Sequence, residues 1–546
     1  MKTLIEALSE IQFKGVFTEV LTDCNCDTEK ENQYEKSRKV FNRRFQFKPT
    51  AIVLCKCTEH VSAVISLTAT YDFDIRVRSG GHDHEGECSG TDTVVIDLSL
   101  MDTITVDEDK KAKIQPGARF EKIVPELNKY NVSIPHGTCS TVGIAGFTFG
   151  GGWGPWTRLH GMCCESLVGA TIVLGNGEIK YLTEEGAEDE RKLLWALRGG
   201  GGFSYGIVTE LVIQTFPLPE NTIKFHVVWS NSPAMKVLEV WEDLIAPNNN
   251  KELIGTNLKI MAKPYDGQPV EKSIHECTFY GYFSGTNLEL ETCIKIWFSS
   301  FDSSDYEVTI DSKTDSKTLQ NASLSFSSWD RISKVDVWSK LSRLEKLGKL
   351  KDLQKDKLKS LNKSFTSKSL KTIPPDVDPP APHKITSRVV NEQWLGKEGR
   401  IKLIKSLESD LLHPEGELAD IHCYVTLGAI SGSFYRDYKP DTIGSAFPYK
   451  KRPYFIQYQA WWNDSPEAIA KGSLHYEYCF TNEAQDWIEA SRQNDFPETK
   501  GAFISFKDSA VPTKDYFLES FNELRDIKLK YSNDPDNKFR TRKTII

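Results

Sequence analysis

Through the first 216 residues, short apolar runs alternate with segments of helical period. Ala51-Ile52-Val53-Leu54-Cys55 reads as a buried strand, and Val61, Val64, Ile65 and Leu67 follow at the spacing of an amphipathic helix. Asp74-Ile75-Arg76-Val77-Arg78 and Val94-Val95-Ile96-Asp97-Leu98 are the next strands. This alternation predicts α/β layering with a nucleotide-sized cleft at the loop ends. Gly169 to Gly177 predicts a strand entering a hairpin turn, because Asn176-Gly177 is a strong turn signal. Past Pro217-Leu218-Pro219 the pattern changes to short aromatic strands, such as Thr278-Phe279-Tyr280-Gly281-Tyr282-Phe283, mixed with long amphipathic helices. A second domain that covers the cleft is expected there. Leu341, Leu344, Leu347, Leu350 and Leu353, among the lysines of Lys334 to Lys371, predict a surface helix with a solvated basic face. Pro374-Pro375 and Pro379-Pro380 end it in a stiff connector. The predicted division is 1–216, 217–475 and a closing segment 476–546.

At 546 residues the chain exceeds one ordinary core, which supports two domains. Its 39% hydrophobic content describes a folded protein. The formal charge of -8 provides no general attraction to nucleic acid or an anionic membrane, so neither partner is expected. Glu6 and Glu10 interrupt the first thirteen residues, which therefore lack the continuous apolar core of a signal peptide. A cytoplasmic location is the expectation. Cys24-Asn25-Cys26, Cys55-Lys56-Cys57 and Cys163-Cys164 lack the spacing of structural zinc sites; no metal is expected, and the twelve cysteines read mostly as packed thiols.

Two glycine-rich stretches hold the candidate chemistry. Arg78-Ser79-Gly80-Gly81-His82 closes a predicted strand, and its glycines let backbone N–H groups approach a pyrophosphate. Gly137-Thr138-Cys139-Ser140-Thr141-Val142-Gly143-Ile144-Ala145-Gly146 leads into Gly150-Gly151-Gly152. No Gly-Lys-Ser/Thr follows either run, which excludes a P-loop, and no helix-opening Gly-x-Gly-x-x-Gly supports a nicotinamide fold. A histidine on one turn and a cysteine beside the other can face one bound ring system.

These motifs resemble the berberine-bridge-enzyme-like flavoproteins of the vanillyl-alcohol-oxidase group. The resemblance implies an α+β, two-domain fold, with a mixed α/β FAD domain and an antiparallel-sheet substrate domain. It implies FAD bonded through His82 to its 8α-methyl carbon and through Cys139 to C6. His84 competes for the first role; His82 is preferred because it directly follows Gly80-Gly81. Further flavin contacts are implied for Arg78, Ser79, Gly80, Gly81, Thr141, Val142, Gly143, Gly146, Gly150, Gly151 and Gly152. Gly206, Ile207 and Val208, after the Gly199–Gly202 run, complete the set. A small valine at 142 goes with oxidase behaviour in the family. Tyr516-Phe517 and Asp534-Pro535-Asp536-Asn537-Lys538-Phe539 resemble the family's closing segment, which implies that the tail returns to the first domain.

Alcohol oxidation needs a base for the hydroxyl proton while hydride leaves carbon. The family's carbohydrate oxidases use a tyrosine near the C-terminus, where this chain has Phe506, and an acidic or phenolic residue where it has Val425. Tyr424, His422 and Tyr458 are the candidate replacements. Trp461-Trp462 could stack on a sugar face or serve core packing alone. The expected function is an FAD-dependent oxidase that takes hydride onto flavin N5 from a sugar-like or secondary-metabolite alcohol and reduces O2 to H2O2. The alternatives are a tailoring oxidase or cyclase of secondary metabolism, and a flavin-holding protein with weak or no turnover.

Overall fold

A computed structural model of the chain describes residues 2–23, 28–219, 221–247, 250, 252–310, 380–412, 421–440, 443–462 and 482–546. The lysine-rich helix predicted over 334–371, the Pro374-Pro375 pair, Cys24 and Cys26 lie outside them. Among the described residues no helix is long and apolar enough to cross a membrane.

The first domain is built on two sheets. Glu19–Leu21, Ala51–Leu54, Val94–Asp97 and Ile75–Arg78 form one sheet in that order, the last three strands running parallel. Ala51, Ile52, Val53, Val94, Val95 and Ile96 are all buried, as parallel strands covered on both faces require. The helix Thr58–Leu67 lays His60, Val61, Val64 and Ile65 against it. Arg78 ends its strand at the carboxyl edge, so Ser79 to His82 emerge where ligands bind in open α/β sheets.

The α/β layering predicted for the whole first domain is confined to residues 51–97. The second sheet is antiparallel, in the order Ile179–Thr183, Leu167–Val173, Ile207–Gln214, Lys111–Ile114, Ile104–Val106. Its first hairpin turns at Asn176-Gly177, where Gly177 takes φ 84°. Leu524 and Ile527, on the helix Phe521–Tyr531, share a core with Leu193 and Leu197 of the helix Glu188–Leu197. The closing segment therefore lies on the first domain.

Seven antiparallel strands make the third sheet: Tyr306–Ile310, Thr222–Trp229, Cys277–Ser284, Leu253–Met261, His422–Ala429, Tyr454–Trp461 and His383–Val389. Strand alternation divides its faces. Val425, Leu427, Ile456, Tyr458 and Ala460 sit in one core with Trp241, Leu403 and Trp487 of the helices Ala234–Ile245, Gly396–Lys405 and Asn482–Gln493. The opposite face carries Asn257, Lys259, Tyr424, Thr426, Phe455, Gln457, Gln459 and Trp461 and looks toward the first domain. There Trp153 donates to the Ala429 carbonyl at 2.8 Å and stands edge-on to Phe455 at 5.2 Å. The result is a two-domain α+β molecule with a polar sheet face opposite two glycine loops.

Candidate active site between two glycine loops and a polar sheet face

The two loops touch through their backbones. A Cβ on Gly80 would lie 2.4 Å from the Gly143 nitrogen, and one on Gly143 would lie 2.4 Å from the Ser79 hydroxyl. Gly81 adopts φ 77°, a left-handed turn that glycine takes without strain. The amides of Gly80, Gly81 and His82 donate to no partner among the described residues. Arg78 gives Nε to Asp97 at 2.6 Å, while its buried Nη1 has no partner among the described residues. Converging unpaired N–H groups and a guanidinium suit a diphosphate, so the residues present fit a dinucleotide cofactor.

His82 and Cys139 meet at one hydroxyl. The His82 Nε2 is 2.8 Å from Thr141 Oγ1, and the Cys139 sulfur is 3.4 Å from the same oxygen. Phe41 stacks on the His82 ring with centroids 3.8 Å apart. Burial, with the charges of His84 and Arg119 added, pushes the imidazole down to about 3, so His82 is neutral at physiological pH. With Nε2 engaged, Nδ1 is the nitrogen without a partner among the described residues.

The loop continues around Asp83, whose Oδ1 accepts the amides of Glu85 and Glu87, both at 3.0 Å. Lys507 holds the other oxygen at 2.7 Å. Glu85 binds Lys384 at 2.6 Å and Arg44 at 3.1 Å, and Lys384 reaches Asp508 at 2.8 Å. These pairs join four separate chain segments. Although burial raises Asp83, Glu85 and Asp508, their cationic partners and hydrogen bonds hold all three below the usual carboxylate range.

His84 is 2.9 Å from His383, Nδ1 to Nε2, and His383 Nδ1 is 2.9 Å from the Ala381 carbonyl. Asn42 donates to the carbonyls of both histidines, at 2.6 Å and 3.0 Å. Burial lowers both rings, His84 to about 4 and His383 well below its ordinary value.

The three candidate bases separate. Tyr424 shares a cluster with Phe41, Ile385 and Trp461 that also touches Phe506, and its hydroxyl donates to Gln459 at 3.1 Å. Trp461 donates to the same Gln459 oxygen at 3.0 Å, and the Lys259 ammonium lies 4.5 Å from the centre of the Tyr424 ring. His422 is on the same sheet face, paired across the ladder with Trp461. Tyr458 is not in the cleft. It faces the helix layer, where its hydroxyl meets Ser406 at 2.8 Å beneath Trp487. Val425 faces that layer too. Phe506 stands at the cleft edge among Phe455, Phe503 and His84, with centroids at 5.0, 5.1 and 6.1 Å.

The remaining predicted contacts fall on two levels. Gly150 and Gly151 bring their backbone against the closing segment, where a Cβ on Gly150 would lie 2.3 Å from Ser505 Oγ and one on Gly151 3.0 Å from Phe503, whereas a Cβ on Gly152 would lie 2.6 Å from Cys163. Gly146 is exposed, with open space beside it. Val142 is half-buried, its amide bonded to Cys139. Gly206 precedes the strand Ile207–Gln214 of the second sheet, and the side chains of Ile207 and Val208 at its start are committed to core packing. Only their backbone is left to meet a cofactor. Sequence reasoning missed Phe41, Asn42, Lys384 and His383. The polar run His383-Lys384 opening a strand was the one local signal for the last two.

Residues 49–183 match an FAD binding domain, and residues 502–546 match the berberine and berberine-like segment. Berberine bridge enzyme-like 21 of Arabidopsis thaliana is 25% identical over 92% of this chain and 84% of its own length. Glucooligosaccharide oxidase of Sarocladium strictum is 34% identical over 38% of this chain and 42% of its length; chitooligosaccharide oxidase of Gibberella zeae is 33% identical over 37% and 41%. The alignments with these two oxidases thus span less than half of them. Among solved structures, a chitooligosaccharide oxidase superposes with a TM-score of 0.69 at 20% identity, covering 96% of this chain and 97% of that one. The glucooligosaccharide oxidase from Acremonium strictum, whose FAD is described as 6-S-cysteinyl and 8α-N1-histidyl, gives 0.70 at 20% identity, with 97% of both chains covered. An FAD binding domain and a berberine-like closing segment stand together in one chain whose relatives are berberine bridge enzyme-like proteins and oligosaccharide oxidases, and the protein is an FAD-dependent oxidoreductase.

Proposed function

We propose that this protein is an oxidase that carries FAD on two covalent bonds, one to His82 and one to Cys139, and oxidises an alcohol. The observation that carries the reading is the convergence of that imidazole and that thiol on the Thr141 hydroxyl. FAD bound here would supply the hydride acceptor and pass the electrons to dioxygen, giving hydrogen peroxide.

The protein's part is binding and orientation. Gly80, Gly81 and His82 offer amide donors to the diphosphate, and the unpaired Arg78 nitrogen adds charge. His82, neutral, presents Nδ1 as a nucleophile while Nε2 donates to Thr141, whose hydroxyl also contacts the Cys139 sulfur and orients it. The sheet face opposite orients the substrate. Asn257 Oδ1 is buried without a partner among the described residues and can accept a hydroxyl donor, while Gln459 and Thr426, already bonded to each other at 3.1 Å, fix the orientation of the Tyr424 hydroxyl. Tyr424, Trp461 and Phe506 give flat apolar walls. A polar floor with aromatic walls suits a hydroxyl-rich ring, so a sugar-like alcohol is the preferred substrate.

The grouping of Phe455, Phe503 and Phe506 at one edge favours a second reading, oxidation of an apolar ring in secondary metabolism. Peroxide release over a panel of mono- and oligosaccharides, aromatic alcohols and cyclic amines tests both. Turnover confined to saccharides supports the first reading and turnover confined to apolar rings the second. Silence across the panel from protein with reducible flavin would contradict both and support a flavin-holding role.

A further inference from the structure

We propose that His84 is the base that receives the substrate hydroxyl proton, held by His383 in the tautomer whose Nε2 is an acceptor. The inference rests on the reading that FAD is anchored at His82, two residues away.

Hydrogen-bond logic fixes the tautomer from one end. The Ala381 carbonyl can only accept, so the His383 Nδ1 2.9 Å away must carry a proton. A neutral His383 then has a lone pair on Nε2, and the His84 Nδ1 that meets it at 2.9 Å must donate. A neutral His84 is left with its lone pair on Nε2. Both rings are held neutral by burial, and Asn42 fixes the backbone of each through bonds to their carbonyls. Among the described residues no donor engages that nitrogen, and His84 is only half-buried. The ring stands at the cleft edge beside Phe506, the position at which the resemblance leads one to look for a tyrosine base. Tyr424, by contrast, already gives its proton to Gln459.

The chemistry balances. The C–H hydride leaves for the cofactor, the O–H proton passes to His84 Nε2, and a C=O bond forms. Dioxygen then takes two electrons and two protons as hydrogen peroxide. The charged and titratable groups that face His84 are Asp83, Glu85 and Lys507 together with the imidazoles of His82 and His383; the two carboxylates favour its protonated form, and Lys507 opposes it. His383 acts only through His84 and is a positioning residue.

The test uses the holoenzyme. Side-chain nitrogen NMR of histidine-labelled wild type is expected to show His84 with Nδ1 protonated and Nε2 bare. The reverse tautomer, or an imidazolium at neutral pH, would overturn the proposal without any substrate. With the best alcohol of the panel, His84→Gln is expected to lower kcat by about 10²-fold or more while KM changes little, and to remove the acid limb of the pH profile. His383→Asn is expected to lower kcat less and to shift that limb. A His84→Gln enzyme that keeps kcat within about twofold, or keeps the limb, sinks the idea. Flavin retention in acid-precipitated wild type and variant separates this result from failure of the cofactor reading: a yellow variant with lost turnover supports the base, whereas a colourless wild type removes the anchor on which it rests.

Discussion

Thr141 shows how much one small side chain can decide. Its hydroxyl lies 2.8 Å from the imidazole of His82 and 3.4 Å from the sulfur of Cys139, so under the proposed double attachment it aligns both. Thr141→Val keeps the shape and removes the hydroxyl; the acid-precipitable flavin should fall in freshly expressed protein, and Thr141→Ser should restore it, as read by absorbance of the pellet. Phe506 supports a second prediction. A phenol there would stand 6.1 Å, ring to ring, from His84, and Phe506→Tyr is expected to speed turnover of an alcohol the wild type accepts slowly. Unchanged turnover with binding intact would remove that position from the proton path. The approach of His82 and Cys139 to one another was legible because glycine motifs surround them locally. His383 was not: 299 residues separate it from His84, and only closure of the domains brings the rings together.

Parity along strands and clearance between loops govern the element scale. Tyr424 and Tyr458 both read as plausible bases in the sequence, yet one faces the cleft and the other the helix layer. The strand His422–Ala429 turns its even positions toward the cleft, whereas Tyr454–Trp461 turns its odd ones, and a one-residue offset reverses a side chain's face. Apolar patterning could not reveal this, because all eight residues of Tyr454–Trp461 are buried. The glycine loops were clearer, since only a missing Cβ permits the approach of Gly80 to Gly143. Gly80→Ala must push backbone against backbone and should cost about 1–3 kcal/mol, the range of overpacked sites. Thermal unfolding with and without added FAD checks it, with flavin content falling alongside stability. A variant as stable and as yellow as wild type would show that the two loops move apart freely.

At the scale of the whole molecule, Lys384 of the second domain is tied to Glu85 on the loop that carries His82, where Glu85 also holds Arg44 and Lys507 of the closing segment holds Asp83. Glu85→Gln leaves two buried cations without their shared anion and is expected to cost about 3–5 kcal/mol in chemical denaturation. Acid should loosen the same region in two stages. His82, His84 and His383 have folded values below the ordinary 6.5, so the unfolded chain binds protons first, and their contribution, complete above 6.5, is lost as pH falls toward about 4. Asp83, Glu85 and Asp508 are also depressed; their contribution is present above their ordinary 3.8 to 4.5 and is lost at still lower pH. Melting curves across this range should show a shallower first stage in His383→Asn. The account stands most directly on one measurement, mass spectrometry of the protease-digested holoprotein. A single flavin-bearing species that joins the peptide of His82 to the peptide of Cys139 is the predicted result. Two separate peptides at their unmodified masses, with the yellow colour released on acid precipitation, would contradict it.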